Sequence, residues 1–210
     1  MAVRLLVASR NAKKLAELRR VLESEGIVGI EPVGLDEVAE YAEEPEDGAT
    51  FADNALIKAR SGAVATGLPC LADDSGLAVD ALNGMPGVLS ARWSGRHGDD
   101  AANNALLLAQ LTDVPDERRG AAFVSACALV VPGVPGGADH REDVEEGRWR
   151  GSVLRDPRGE GGFGYDPLFL PEGSERAAGE LTPEEKDAAS HRGRALRALA
   201  PALRALAERA

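Results

Sequence analysis

The stretch RLLVASRNAKKLAELRRVLE, residues 4–23, decides the fold class. Arg4 to Ala8 is a short apolar run, and the polar Ser9-Arg10-Asn11 follows at once. From Lys14 to Glu23, Leu15, Leu18 and Leu22 recur at helical spacing. The reading is a strand, a loop and a helix.

The rest of the chain extends that pattern. Ile27 to Val33 returns as a second strand, and the seven acids between Asp36 and Asp47, interrupted by Pro45, make a loop. Thr50-Phe51-Ala52-Asp53 is a capping box, opening a helix that runs to about Thr66 and stops near Gly67. Pro69 to Ala72 reads as a buried strand ending in Asp73-Asp74-Ser75-Gly76, with Leu77 to Leu82 as a paired strand after a tight turn. A loop rich in Gly and Pro (Asn83 to Gly87) precedes a helix from Ala101 to Leu111. Ala121 to Val131 is a long apolar strand, paired with Arg148 to Leu154 across an acidic, Gly-rich hairpin from Pro132 to Gly147. Arg158 to Pro167 is too dense in glycine for anything but loop. Thr182-Pro183-Glu184-Glu185 is a second capping box with Pro at the first helical position. A last helix from about Ser190 carries Leu196, Leu199, Leu203 and Leu206 and is kinked at Pro201. Helices and strands alternate early and strands pair later. The sequence therefore predicts an α/β protein with a mixed central β-sheet flanked by helices, in one domain spanning residues 1–210.

Composition narrows the partners. The 210 residues are 44% hydrophobic and 28% charged, ordinary for a globular chain, but only 4% aromatic, so Ala, Leu and Val must build the core. A net charge of −11 argues against polymeric nucleic acid, whose phosphates need basic patches. It leaves room for a small phosphorylated ligand held by a few local cations. Cys70 and Cys127 sit in apolar runs and lack the spacing of a zinc or redox pair, which suits a reducing compartment. Val3 to Ala8 is too short for a secretory h-region, and no stretch reaches the roughly 20 apolar residues of a membrane span. The expected location is cytoplasmic, with no membrane partner.

Three segments carry chemistry. Ser9-Arg10-Asn11-Ala12-Lys13-Lys14 joins the first strand to the first helix, where amide N–H groups and the helix dipole bind anions and Lys14 adds a point charge. It is not a P-loop, because the Gly-Lys-Ser/Thr ending is absent. The adjacent Asp73 and Asp74 repel each other, and a hard divalent cation with oxygen ligands relieves that repulsion. Glu46 or Glu44 of the acidic loop completes such a site. Arg158 to Asp166 sets Phe163 and Tyr165 among four glycines, a suitable bed for stacking on a planar base. Taken singly, each segment also has a plain structural explanation, as does the charged run of Lys186, Ser190, His191 and Arg192.

Together and in order, the segments resemble the inosine triphosphate pyrophosphatase family. The matching residues are Ser9 to Lys14, then Thr50-Phe51 with Asp53-Asn54-Ala55 and Lys58-Ala59, then Ala72 to Leu77. Pro86-Gly87 with Ser90-Ala91-Arg92 follows, then Gly162 to Pro167, and finally Lys186 with Ser190 to Gly193. The resemblance implies two lobes with the substrate in the cleft between them, a homodimer, Mg²⁺, and cleavage between the α and β phosphates. It implies that Ser9 to Lys14 hold the triphosphate with help from Lys58, and that Asp74 is the metal-linked base with Asp73 beside it. Ser75, Phe163, Gly164, Tyr165, Asp166, Lys186, His191 and Arg192 would contact the nucleotide, with Arg192 or His191 facing a 6-oxo purine and Phe163 or Tyr165 stacking on it. The chain departs from the family at Arg10, where many members have Gly, and at Glu43-Glu44-Pro45-Glu46, where Pro splits the acidic pair. Spacing to Gly48 and Thr50 favours Glu46 as the second metal ligand.

The expected activity is hydrolysis of non-standard purine nucleoside triphosphates such as ITP, dITP and XTP to monophosphate and pyrophosphate. A pyrophosphatase for other modified nucleotides and a sensing module that binds without turnover are the alternatives. Substrate panels separate the first, and ITP binding without pyrophosphate release marks the second.

Overall fold

The computed structural model describes residues 2–42, 44–133 and 140–208. Strand β1 (Val3–Val7) is followed by helix α1 (Ala12–Ser24) and strand β2 (Ile30–Val33). Helix α2 (Phe51–Thr66), strand β3 (Cys70–Val79), helix α3 (Asp100–Gln110) and strands β4 (Gly120–Val131) and β5 (Arg141–Val153) come next. A short strand β6 (Phe169–Pro171) and helices α4 (Pro183–Ala189), α5 (His191–Ala198) and α6 (Ala200–Ala207) complete the order. The six strands form one sheet in the order β2-β1-β3-β4-β5-β6. β1 runs parallel to β2, with Val3 opposite Ile30, and parallel to β3, with Leu6 opposite Cys70. β6 is antiparallel to β5, pairing Phe169 with Val153. The expected mixed α/β sheet is therefore the fold.

Local chemistry explains the element ends. Asn11 caps α1 through its side chain, which accepts from the Lys13 amide at 3.0 Å. Thr50 and Asp53 exchange side-chain bonds with each other's amides at the start of α2, and Gly67 ends that helix in the left-handed region. Thr182 does the same with Glu185 for α4. The C-terminal helix breaks at Leu199, between α5 and α6, ahead of Pro201.

Two expectations need correction. Asp73-Asp74-Ser75-Gly76 is not a turn; β3 passes straight through it from Cys70 to Val79. A strand can carry two adjacent acids because successive side chains point to opposite faces and so meet different neighbours. Gly76 permits the close packing there, since a Cβ would lie only 2.6 Å from the Gly87 carbonyl oxygen. β5 also begins earlier than expected, at Arg141, inside the stretch read as hairpin. Its residues 134–139, like Glu43, lie outside the described residues. β6, only three residues long, is too short to announce itself by periodicity.

The chain divides into two compact units: residues 1–74, 125–147 and 192–210, and residues 75–124 and 148–191. The boundaries fall inside β3, β4 and β5 and at the start of α5. In the first unit Leu5, Val7, Leu18, Leu71, Leu129, Leu196 and Leu203 form an aliphatic core. Cys70 and Cys127 are fully buried there as free thiols, and burial pushes each up to about 12. The second unit holds the aromatic core: the Phe123 ring lies 4.7 Å from Phe169 edge-on, and Trp149 lies 5.4 Å from Phe169.

Candidate active site

In the first unit the site starts at the end of β1. Ser9 Oγ accepts from the Asn11 amide at 3.1 Å, shaping the turn into α1, and Arg10 and Lys13 are exposed beside it. Ala12 is the first helical residue. One turn on, Lys14 Nζ lies 2.9 Å from Asp73 Oδ1.

The faces of β3 sort the two acids. Leu71 packs into the core with α1 and α5, and Asp73, two residues on, points the same way. It meets Lys14 and also the Arg192 Nε at 2.9 Å. Arg192 Nη1 reaches Glu17 Oε2 at 3.3 Å. The result is a chain of alternating charge, Lys14–Asp73–Arg192–Glu17, buried except at its half-buried lysine end. Burial alone would push the Asp73 carboxyl up, but Arg192 and Lys14 outweigh it and hold Asp73 well below the usual carboxylate range. Asp73 is thus a charge already compensated.

Cys70 faces α2, so close that a Cβ on Gly62 would lie 2.6 Å from its sulfur, and Asp74 shares that direction. The Asn54 amide donates to Asp74 Oδ2 at 2.9 Å, while its carbonyl oxygen accepts from the Gly48 amide at 2.8 Å. One buried side chain on α2 thereby ties the acidic loop to Asp74. Lys58, one turn further along α2, places Nζ 3.1 Å from Glu46 Oε2 and 3.9 Å from Asp74 Oδ1. Its charge is also felt at Asp73. The expectation that the neighbouring acids form one repelling pair is thereby revised: they address opposite sides of the strand, Asp73 toward Lys14 and Arg192 and Asp74 toward α2.

Among the described residues no group of three or more His, Cys, Asp or Glu side chains could hold a metal ion. The donor chemistry still fits Mg²⁺, which takes one or two carboxylates and completes its shell with water and phosphate oxygens. Asp74 and Glu46 already gather around a single cation, the Lys58 ammonium.

The second unit holds the glycine-rich loop. Gly162 has φ +82°, and a Cβ there would run into the Asp166 carboxylate. Asp166 is buried; Oδ2 accepts from the Phe163 amide at 2.8 Å and from Lys186. Lys186 Nζ sits 4.6 Å from the centre of the Phe163 ring, and that ring is 50% exposed. Tyr165 differs: it is buried, and its hydroxyl donates to the Ser90 carbonyl at 2.9 Å. Of the two rings expected to stack, Phe163 is the accessible one. His191 is buried and lies face to face with Phe123 at 5.1 Å. Ser75 is half-buried on β3 next to Asp74.

Sequence reasoning passed over several of these residues. Glu17, three residues from Lys14 on the same helical face, has no role in the sequence reading. Asn54 stood inside a quoted motif without a role, and its amide, able to donate and accept at once, was the available signal. Asp100 and Asn104 on α3, which bond to Gly164, gave none.

A family model described as the Ham1 family matches residues 5–202. A dITP/XTP pyrophosphatase of Nocardia farcinica is 72% identical over 206 residues, covering 98% of this chain and 97% of that protein. The crystal structure of a nucleoside-triphosphatase (dITP/XTP pyrophosphatase) from Mycobacterium abscessus superposes with TM-score 0.78 at 71% identity, covering 96% of this chain and 100% of that one. A HAM1 protein from Coxiella burnetii gives TM-score 0.85 at 40% identity, covering 96% and 98%.

Proposed function

This chain belongs to the Ham1 family, and from that premise we propose that it hydrolyses non-standard purine nucleoside triphosphates, dITP, ITP and XTP, to the monophosphate and pyrophosphate. The relatives at 62–72% identity named dITP/XTP pyrophosphatases support the substrate class. The observation that carries the chemistry is the grouping of Lys58, Glu46 and Asp74 around one ammonium, with Asp74 fixed by Asn54.

Ser9 to Lys14 receive phosphate oxygens on amide donors at the start of α1. Lys14 and Lys58 add fixed positive charge where negative charge builds on the departing pyrophosphate. Asp73 works by holding Lys14 in place, since its own charge is balanced by Lys14 and Arg192. Asp74, oriented by Asn54, aligns and deprotonates the attacking water. Mg²⁺ held by Asp74 and Glu46 would supply further neutralisation of the phosphates. Phe163 stacks on the base, and Gly164, Tyr165, Asp166 and Lys186 shape its bed. His191 and Arg192 at the start of α5 offer donors to the 6-oxo group. Adenine presents a 6-amino group there, which leaves a buried donor unpartnered and weakens its binding.

A homodimer and a cytoplasmic location belong to the same proposal; sedimentation reads the first. Among the described residues no helix is long and apolar enough to cross a membrane. The deciding assay is pyrophosphate release from ITP, XTP, GTP and ATP with and without Mg²⁺. Release from ITP and XTP, faster than from ATP and dependent on the cation, is expected. Equal kcat/KM for ITP and ATP contradicts the base pocket.

A further inference from the structure

We propose that helix α3 selects for the nucleobase at a distance, through a two-point grip by Asp100 and Asn104 on the peptide groups beside Phe163. This rests on the reading of Phe163 as the ring that stacks on the base. Asp100 Oδ2 accepts from the Gly164 amide at 2.6 Å, and Asn104 Nδ2 donates to the Gly164 carbonyl at 3.0 Å. The two residues are four apart, on one face of α3, so the helix presents an acceptor and a donor at a fixed spacing.

The loop needs such a hold. Gly162 and Gly164 have φ +82° and +62°, a region that glycine enters and leaves at little cost, so the segment carrying Phe163 is intrinsically soft. The Phe163 ring is half exposed, so core packing does not fix it. Other anchors include the Lys186 ammonium over the ring, the Phe163 amide on Asp166, the Asp166 amide on the Phe163 carbonyl and the Tyr165 hydroxyl on the Ser90 carbonyl. The grip of α3 immobilises the two peptide planes between those anchors, on either side of Gly164. A stacking partner already frozen in place loses less freedom when the base arrives.

Asn104 itself points the same way. Its side-chain oxygen is buried without a hydrogen-bond partner among the described residues. A buried unpaired acceptor is a cost to folding that leucine, of similar size, would not carry. The amide at this position therefore serves the Gly164 carbonyl rather than the packing of α3.

The test compares Asn104→Leu with the wild type on ITP and on inorganic tripolyphosphate, which carries the phosphates and no base. We expect KM for ITP to rise roughly tenfold, kcat to stay within about twofold, and the inhibition constant of tripolyphosphate to hold. The melting temperature should stay within about 2 °C. An unchanged KM overturns the proposal, and so does a parallel loss of affinity for ITP and tripolyphosphate, which would mean general distortion. Should Asn104→Leu fail to fold, Asp100→Ala carries the same expectation, with Asp100→Asn, which keeps an acceptor, restoring most of the affinity for ITP. Hydrogen exchange over residues 162–166 reads the grip without turnover: faster exchange in the variants supports it, and unchanged exchange overturns it. A wild type that releases no pyrophosphate from ITP sinks the proposed activity instead, and the exchange result still decides the grip.

Discussion

At the scale of single residues, the proposed chemistry rests most heavily on Asp74 and Asn54. Asp74→Asn keeps the size and the bond to Asn54 after a flip of one amide, but removes the proposed base. Turnover should fall by at least about 100-fold, the usual worth of a positioned general base, with the fold retained by circular dichroism. An active Asn variant removes Asp74 from the role. Asn54→Ala withdraws the donor from Asp74 and the acceptor from the Gly48 amide together. Losing one buried polar partner costs roughly 1–3 kcal/mol, so both stability in urea and kcat should drop. Stability alone falling would make Asn54 purely architectural. Lys14, Asp73, Asp74 and Glu46 stand out in the sequence as candidate groups, Lys58 only through the family resemblance, and the structure brings Lys14 to Asp73 and Lys58 to Glu46 and Asp74. Their partition was not legible. Which acid faces Lys14 and which faces α2 follows from strand alternation through Asp73-Asp74, and that needed β3 to be continuous. Glu17 stayed hidden because its partner, Arg192, is 175 residues away.

Among the elements, helices were the easier reading. Thr50/Asp53, Thr182/Glu185 and Gly67 mark their ends by local hydrogen bonding, which short sequence windows contain. In the sequence, acids and a glycine in succession read as a turn that splits β3, whereas the strand runs on with Lys14, Arg192 and Lys58 beside its acids. One pH effect belongs to this scale. Arg60 on α2 grips Glu142 on β5 through two bonds of 2.7 Å, and this, with help from His140, draws Glu142 down to about 2 from 4.5. The folded state holds the proton less tightly than the unfolded chain, so the pair stabilises above the unfolded value and that gain is lost as pH falls from about 4.5 toward 2. Because Arg60 is 52% exposed, water screens the pair and its worth is small. Glu142→Gln should lower stability at pH 7 by less than about 1 kcal/mol, with the gap closing on acidification. A gap that widens on acidification rejects the pairing.

For the whole molecule, the chain passes from one unit to the other within β3, β4 and β5. Trp93 and Trp149 both lie in the second unit. Tryptophan fluorescence therefore watches that unit alone, while far-ultraviolet dichroism watches every helix. The two should give one coincident thermal transition; separated midpoints would show the units melting independently. The buried thiols complete the partition, for Cys70 and Cys127 both lie in the first unit. Inaccessible and protonated, neither can meet an alkylating reagent until its surroundings come apart. The speed at which an added electrophile consumes them is thus a built-in clock for transient opening of that half, kept by sulfur atoms that take no part in the proposed chemistry.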